Sequence, residues 1–120
     1  MELAHGFLRG AYPEQQGWNL SRNTMVKGTE VAFVLQNQHR WILVPALTNE
    51  PFVSLKNVTN ASCLKDKFLD DNEGSEVQVI LMYGNLLFPP GKLPKNVVVV
   101  SMQQDDKQTE GLGVFQVGLN

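Results

Sequence analysis

Residues Lys27 to Leu47 read KGTEVAFVLQNQHRWILVPAL, the longest passage of the chain whose local chemistry and apolar pattern point the same way. Val31, Phe33 and Leu35 alternate with Glu30, Ala32 and Gln36 on one arm, and Trp41, Leu43 and Pro45 alternate with Ile42, Val44 and Ala46 on the other. Alternation with a period of two sends successive side chains to opposite faces of a strand, so each arm reads as β. Asn37, Gln38 and His39 lie between the arms. All are polar, and Asn tolerates the positive φ that a short reversal requires. The passage therefore predicts a β-hairpin, and with it a β-rich fold.

Upstream of the hairpin, Leu3 to Leu8 reads as a first strand interrupted by Gly6. Ala11 to Asn23 reads as a loop, because Pro13, Gly17 and several amides break any period, with Tyr12, Trp18 and Leu20 pinning it to the core. Leu20 to Val26 continues as an irregular strand. Downstream, Thr48 to Pro51 makes a turn, and Phe52, Val53 and Leu55 begin a strand that ends near Val58. Asn60 is a candidate N-cap for one short helix near residues 61–70, where Cys63, Leu64, Lys67, Phe68 and Leu69 form the inward stripe.

Asp71 to Ser75 is turn material. Glu76 to Tyr83 is apolar on both faces, as a central strand would be, and Gly84-Asn85 reverses the chain into Leu86, Leu87 and Phe88. Val97 to Val100 is an unbroken β-branched run, which suits a strand covered on both sides. Asp105 to Gly111 is a polar loop, and Leu112 to Leu119 closes the chain as a last strand. About seven or eight short strands at this turn spacing predict a single all-β, mainly antiparallel domain over residues 1–120, a small sandwich or barrel.

Composition narrows the function classes. With 42% hydrophobic and 18% charged residues in 120, the chain is globular, since a disordered one would have fewer apolar groups and more charge. The net charge is −2, and the ten basic residues are scattered from Arg9 to Lys107, so nucleic-acid binding lacks the concentrated basic face it usually needs. The single Cys63 forms no internal disulfide, which suits a reducing, cytoplasmic location. Met1 to Gly10 has no continuous apolar core of the signal-peptide kind, and no run approaches the roughly 20 apolar residues of a membrane span. A cytoplasmic protein without membrane contact is expected, or a mature chain whose leader has been removed.

The marks of catalysis are sparse. His5 and His39 are the only histidines, and no HxH, HExxH or CxxC spacing occurs, so neither a metal nor another cofactor is expected. A thiol becomes a nucleophile when a base lowers its pKa, so Cys63 with a histidine would make a small enzyme. Lying beside Leu64 and near Phe68, however, Cys63 reads as an inert buried group. Asp70 to Glu76, DDNEGSE, echoes the opening of an EF-hand loop, but the twelfth position is Leu81 and the following segment is a strand, which leaves a solvated acidic turn. Asn19, Asn57 and Asn60 head glycosylation sequons that matter only for a secreted chain.

Apolar groups where a monomer needs none carry the leading expectation. Leu86, Leu87 and Phe88 run into Pro89-Pro90-Gly91, with Leu93 following, the composition either of a contact surface or of a loop capping a barrel end. His39, Arg40 and Trp41 stand at the hairpin tip, and Trp and Arg anchor interfaces, although Trp41 also fits as the first core residue of its strand. The expected function is a non-enzymatic interaction or accessory module that self-associates or docks on a protein partner. A carbohydrate- or small-ligand-binding β-domain using Tyr12, Trp18 and Trp41 is the alternative, and the small enzyme built on Cys63 or a histidine the second.

Overall fold

The computed structural model of the protein describes the backbone of residues 2–88, 90–104 and 112–117, and the side chains of 4–88 and 90–102. Among these residues the elements run α1 (Glu2–Ala11), a 3-10 turn (Glu14–Gln16), β1 (Asn19–Val26), β2 (Thr29–Asn37), β3 (Arg40–Val44), β4 (Leu47–Thr48), α2 (Leu55–Asp71), β5 (Glu76–Tyr83), β6 (Val97–Gln104) and β7 (Leu112–Val117). The strands make one seven-stranded sheet in the order β1-β2-β3-β5-β6-β7, with β4 also on β5. Pairing is antiparallel for β1-β2, β2-β3 and β6-β7, and parallel for β3-β5, β4-β5 and β5-β6.

The expected all-β, antiparallel sandwich or barrel is thus overturned. The fold is α/β, and its mixed sheet is open, since β1 and β7 stand at opposite ends of the order. The apolar double-faced strands were correctly assigned to the interior, but helices cover them. Alternation divides the core in two. On one face Leu43, Val77, Val79, Leu81, Val97 and Val99 pack with Ala61, Leu64 and Phe68 of α2. On the other, Phe33, Ile42, Ile80, Met82, Val98 and Val100 pack with Ala4 and Leu8 of α1. Strands covered by helices on both faces read as continuous apolar runs, as strands in the middle of a sandwich also do.

The hairpin stands as expected, with Phe33 opposite Val44 and Asn37 opposite Arg40. Its turn is tighter than read: Asn37 stays in the strand, and Gln38 takes the positive φ of 57°. A second two-residue turn joins β1 to β2, where Lys27 and Gly28 both have positive φ (51° and 78°), the geometry a twisted hairpin favours.

Leu3 to Leu8 is helical instead of extended. Ala4 and Leu8, one turn apart, are its buried residues among the described side chains, and Gly6 faces open space, so it costs only its weak helix propensity. The predicted strand from Phe52 to Val58 is also wrong. Ser54, and not Asn60, is the N-cap: its Oγ accepts from the Asn57 N–H at 3.2 Å, and α2 runs 17 residues to Asp71 in place of the short helix at 61–70. Cys63 is exposed, because the inward stripe is Ala61, Leu64 and Phe68.

Glu76 to Tyr83 is a strand with the expected bounds, interior and buried on both faces. Leu86 to Phe88 is not one. The next strand, β6, lies parallel to β5, so the chain must travel back along the sheet before pairing, and residues 84–96 are that return connection. The loop expected at Asp105 to Gly111 and the end of the last strand at Leu119 lie outside the described residues.

Candidate functional site

Parallel strands in an open sheet end together, and their carboxyl ends border a crevice where ligands commonly bind. Here that edge is opened by a fault in strand pairing. Leu43 pairs Val79 and Leu47 pairs Met82, so four residues on one strand span three on the other. Pro45, which has no N–H to donate, sits in the extra length. The displaced Pro45 and Ala46, the start of β2 and one side of α2 from Asn57 to Lys67 border a cavity of about 610 Å³.

Its floor is apolar, from Ala61, Leu64 and Leu81, while Glu30, Thr48, Glu50, Asn57 and Tyr83 supply polar groups. Asn57 is placed by the helix cap, since its backbone N–H is the one bonded to Ser54. Its side-chain Nδ2 donates to Tyr83 Oη at 3.1 Å. Thr48 holds Glu50: the Glu50 N–H donates to Thr48 Oγ1 at 3.2 Å, and the hydroxyl donates to Glu50 Oε1 at 3.4 Å. Burial pushes the Tyr83 phenol above its usual pKa; the Asn57 hydrogen bond opposes the rise and the charge of Glu50 adds to it.

An apolar lip is carried by the segments that follow Glu50 and Tyr83 of the cavity wall. Phe52, Leu55, Leu87 and Phe88 are 49%, 80%, 63% and 60% exposed. Phe52 lies on the loop before α2, Leu55 is the first residue of α2, and Leu87 and Phe88 lie on a second loop, joined to the first where the N–H groups of Leu87 and Phe88 donate to the Pro51 carbonyl at 2.9 and 3.1 Å. The base of the second loop is held by the Leu86 N–H donating to Ser101 Oγ at 3.2 Å, and Ser101 is buried on β6.

The residues singled out from sequence divide accordingly. Leu87 and Phe88 are exposed on the lip, whereas Leu86 packs half-buried against the core and Leu93 is buried within it. His39 and Arg40 are exposed at the start of β3, the opposite edge of the sheet from the lip. Trp41 is half-buried, its ring edge-on to Phe68 at 5.0 Å. The Arg40 guanidinium lies 5.2 Å from the centre of the Trp18 ring and 3.9 Å from Glu76. Arg40 and Trp41 line a second cavity of about 460 Å³ at that edge. Tyr12 and Trp18 pack on each other at 5.0 Å. Cys63 makes no hydrogen bond to either histidine among the described residues, and His5 sits on the far face against Phe33. Asp71, from the acidic stretch, pairs with Lys27.

Glu30, Glu50, Tyr83, Phe52 and Leu55 were not singled out as site residues, and Asn57 only as the head of a sequon. Ser54 ahead of a segment that is helical from Leu55 was the missed signal, since a helix starting there brings Asn57 to the sheet edge. Among the described residues, no three His, Cys, Asp or Glu side chains gather where they could hold a metal ion. None of the described helices is long and apolar enough to cross a membrane.

No family model and no curated protein matches the chain. Among solved structures it is similar to Pyrococcus furiosus SfsA, determined in complex with Ca2+, at a TM-score of 0.54 and 10% identity over 99% of this chain. The chain spans less than two thirds of that protein, 64% of its length. At this identity the likeness is one of fold.

Proposed function

We propose that this chain is a docking module that takes a short apolar segment of a protein partner across the lip formed by Phe52, Leu55, Leu87 and Phe88. What supports the reading is one observation: four of the five large apolar side chains exposed among the described residues lie within four residues of one junction, Leu87 and Phe88 where their N–H groups meet the Pro51 carbonyl, and Phe52 and Leu55 just beyond Pro51 itself. Four such side chains, half to four-fifths exposed, present on the order of 500 Å². A stable dimer usually buries about 800 Å² per partner, so the patch fits a transient, peptide-sized occupant better than a permanent second copy. The Ca2+ of the similar structure is not carried over, because the described residues gather no set of metal ligands.

Selection from a displayed random peptide library tests this. Apolar peptides should be enriched on the wild-type chain and lost on the double variant Leu87→Asp, Phe88→Asp, whose melting and circular dichroism should be unchanged, since both side chains face solvent. Equal enrichment on the variant refutes the proposal. So does a wild-type chain that sediments as a dimer broken by the same variant.

A further inference from the structure

A hydroxyl carries one donor and two acceptor sites, and when buried at least one of them is ordinarily paired. Tyr83 has no exposed surface and uses one: its Oη accepts from Asn57, and among the described residues nothing accepts its own proton. Turning the Asn57 amide round does not remove the surplus. The amide oxygen would then accept from Tyr83, and the amide N–H groups would be left as donors. Either way an N–H of Asn57, the half-buried member of the pair, is left unused on the cavity wall. The same wall carries acceptors of the opposite kind, the carboxylates of Glu30 and Glu50, the latter held by Thr48. Lys67 also lines the cavity, but ten residues further along α2 than Asn57, about 15 Å at the helical rise.

We propose that this cavity binds a small uncharged molecule with an apolar body and a carboxamide-type head. The carbonyl accepts from Asn57, which Tyr83 holds in place, the N–H groups donate to Glu50, and the body lies on Leu64 and its apolar neighbours. A carboxylate head meets like charge at Glu30 and Glu50, and an ammonium head, though drawn to those carboxylates, has no acceptor for the Asn57 donor. A volume of about 610 Å³ is in the usual range for such a site. The proposal does not depend on the docking lip.

Benzamide, benzoate and benzylamine share one ring and differ in the head, so titrating each into the 15N-labelled chain and following amide shifts isolates the head. Benzamide should move the signals of Asn57, Ala61 and Tyr83 with a millimolar Kd, as befits a fragment of about nine heavy atoms. Benzoate and benzylamine should bind at least about tenfold more weakly. Tyr83→Phe should weaken benzamide about tenfold. Glu50→Gln, at an exposed position, should narrow the gap between benzamide and benzoate without altering the melting temperature. The lip variant should bind benzamide as the wild type does, which separates this site from the docking surface. The proposal is overturned if benzamide moves no signals at the cavity, if benzoate or benzylamine binds as tightly, or if Glu50→Gln leaves the order of heads unchanged.

Discussion

Phe68→Ala probes the feature that makes this fold α/β, the seating of α2 on the sheet. Phe68 is 5% exposed, ends the buried stripe Ala61-Leu64-Phe68, and meets Trp41 edge-on at 5.0 Å. Truncating a buried Phe costs about 3–5 kcal/mol through lost transfer energy and the cavity left behind. Of this, roughly 0.5–1.5 kcal/mol belongs to the aromatic pair. Against a total stability of about 5–15 kcal/mol, the loss is a large fraction, and at around 4 °C per kcal/mol the melting temperature should fall by roughly 10–20 °C. Phe68→Leu, which keeps most of the volume, should cost about 1–1.5 kcal/mol. Cys63→Ala, exposed on the same helix, should stay within about 0.5 kcal/mol. Urea unfolding followed by Trp fluorescence and circular dichroism measures all three, with a change of midpoint at constant slope as the sign of a pure stability effect. If Cys63→Ala were as costly as Phe68→Ala, or Phe68→Ala cost less than about 1 kcal/mol, α2 would be facing the sheet with a different side and the packing argument would fail.

Because Cys63 is exposed, native protein should yield its full thiol equivalent to Ellman's reagent without denaturant, and a thiol that reacts only on unfolding contradicts the orientation of α2. Such reactivity follows from exposure alone and does not by itself mark an enzyme. Removing the cap with Ser54→Ala should cost about 1 kcal/mol, and Ser54→Gly only a few tenths, in a thermal melt; equal costs would deny the Ser54 Oγ hydrogen bond. Tyr12 and Tyr83, the only tyrosines, both have raised pKa values, burial being the main cause in each, with Arg40 opposing the rise at Tyr12. Titration at 295 nm should therefore find both ionising above about 10. The unfolded chain releases these protons first, so the stability they contribute is complete below about pH 10 and is lost as pH rises through the folded values. A titration matching free tyrosine would refute the burial of both.

Much of the strand content was legible locally. The hairpin of Lys27 to Leu47, the strand of Glu76 to Tyr83 and the β-branched run at Val97 each announce themselves through alternation or χ1-restricted side chains, which act within a few residues. The helices were less so. α1 buries just Ala4 and Leu8 among the residues whose side chains are described, a pattern too short to outweigh Gly6, and the first turn of α2 carries Leu55 and Val58, which also suit a strand. The site was legible only at Leu87 and Phe88. Glu30, Glu50, Asn57 and Tyr83 come from four separated segments and carry no common spacing.

The sequence by itself determined the hairpin of Lys27 to Leu47 and the strands at Glu76 to Tyr83 and from Val97, that these last two are covered on both faces, and that a single cysteine leaves no internal disulfide. Tertiary structure alone decided what does the covering, which strands are neighbours, and in which direction they run. Backbone hydrogen bonds look alike from every residue, so a run such as Val97 to Val100 records that it is shielded from water but not whether a helix or a second sheet shields it. For the same reason, that the chain after Tyr83 returns to a parallel neighbour, presenting Leu87 and Phe88 on the way, and that α2 closes one wall of the cavity, are matters of tertiary packing.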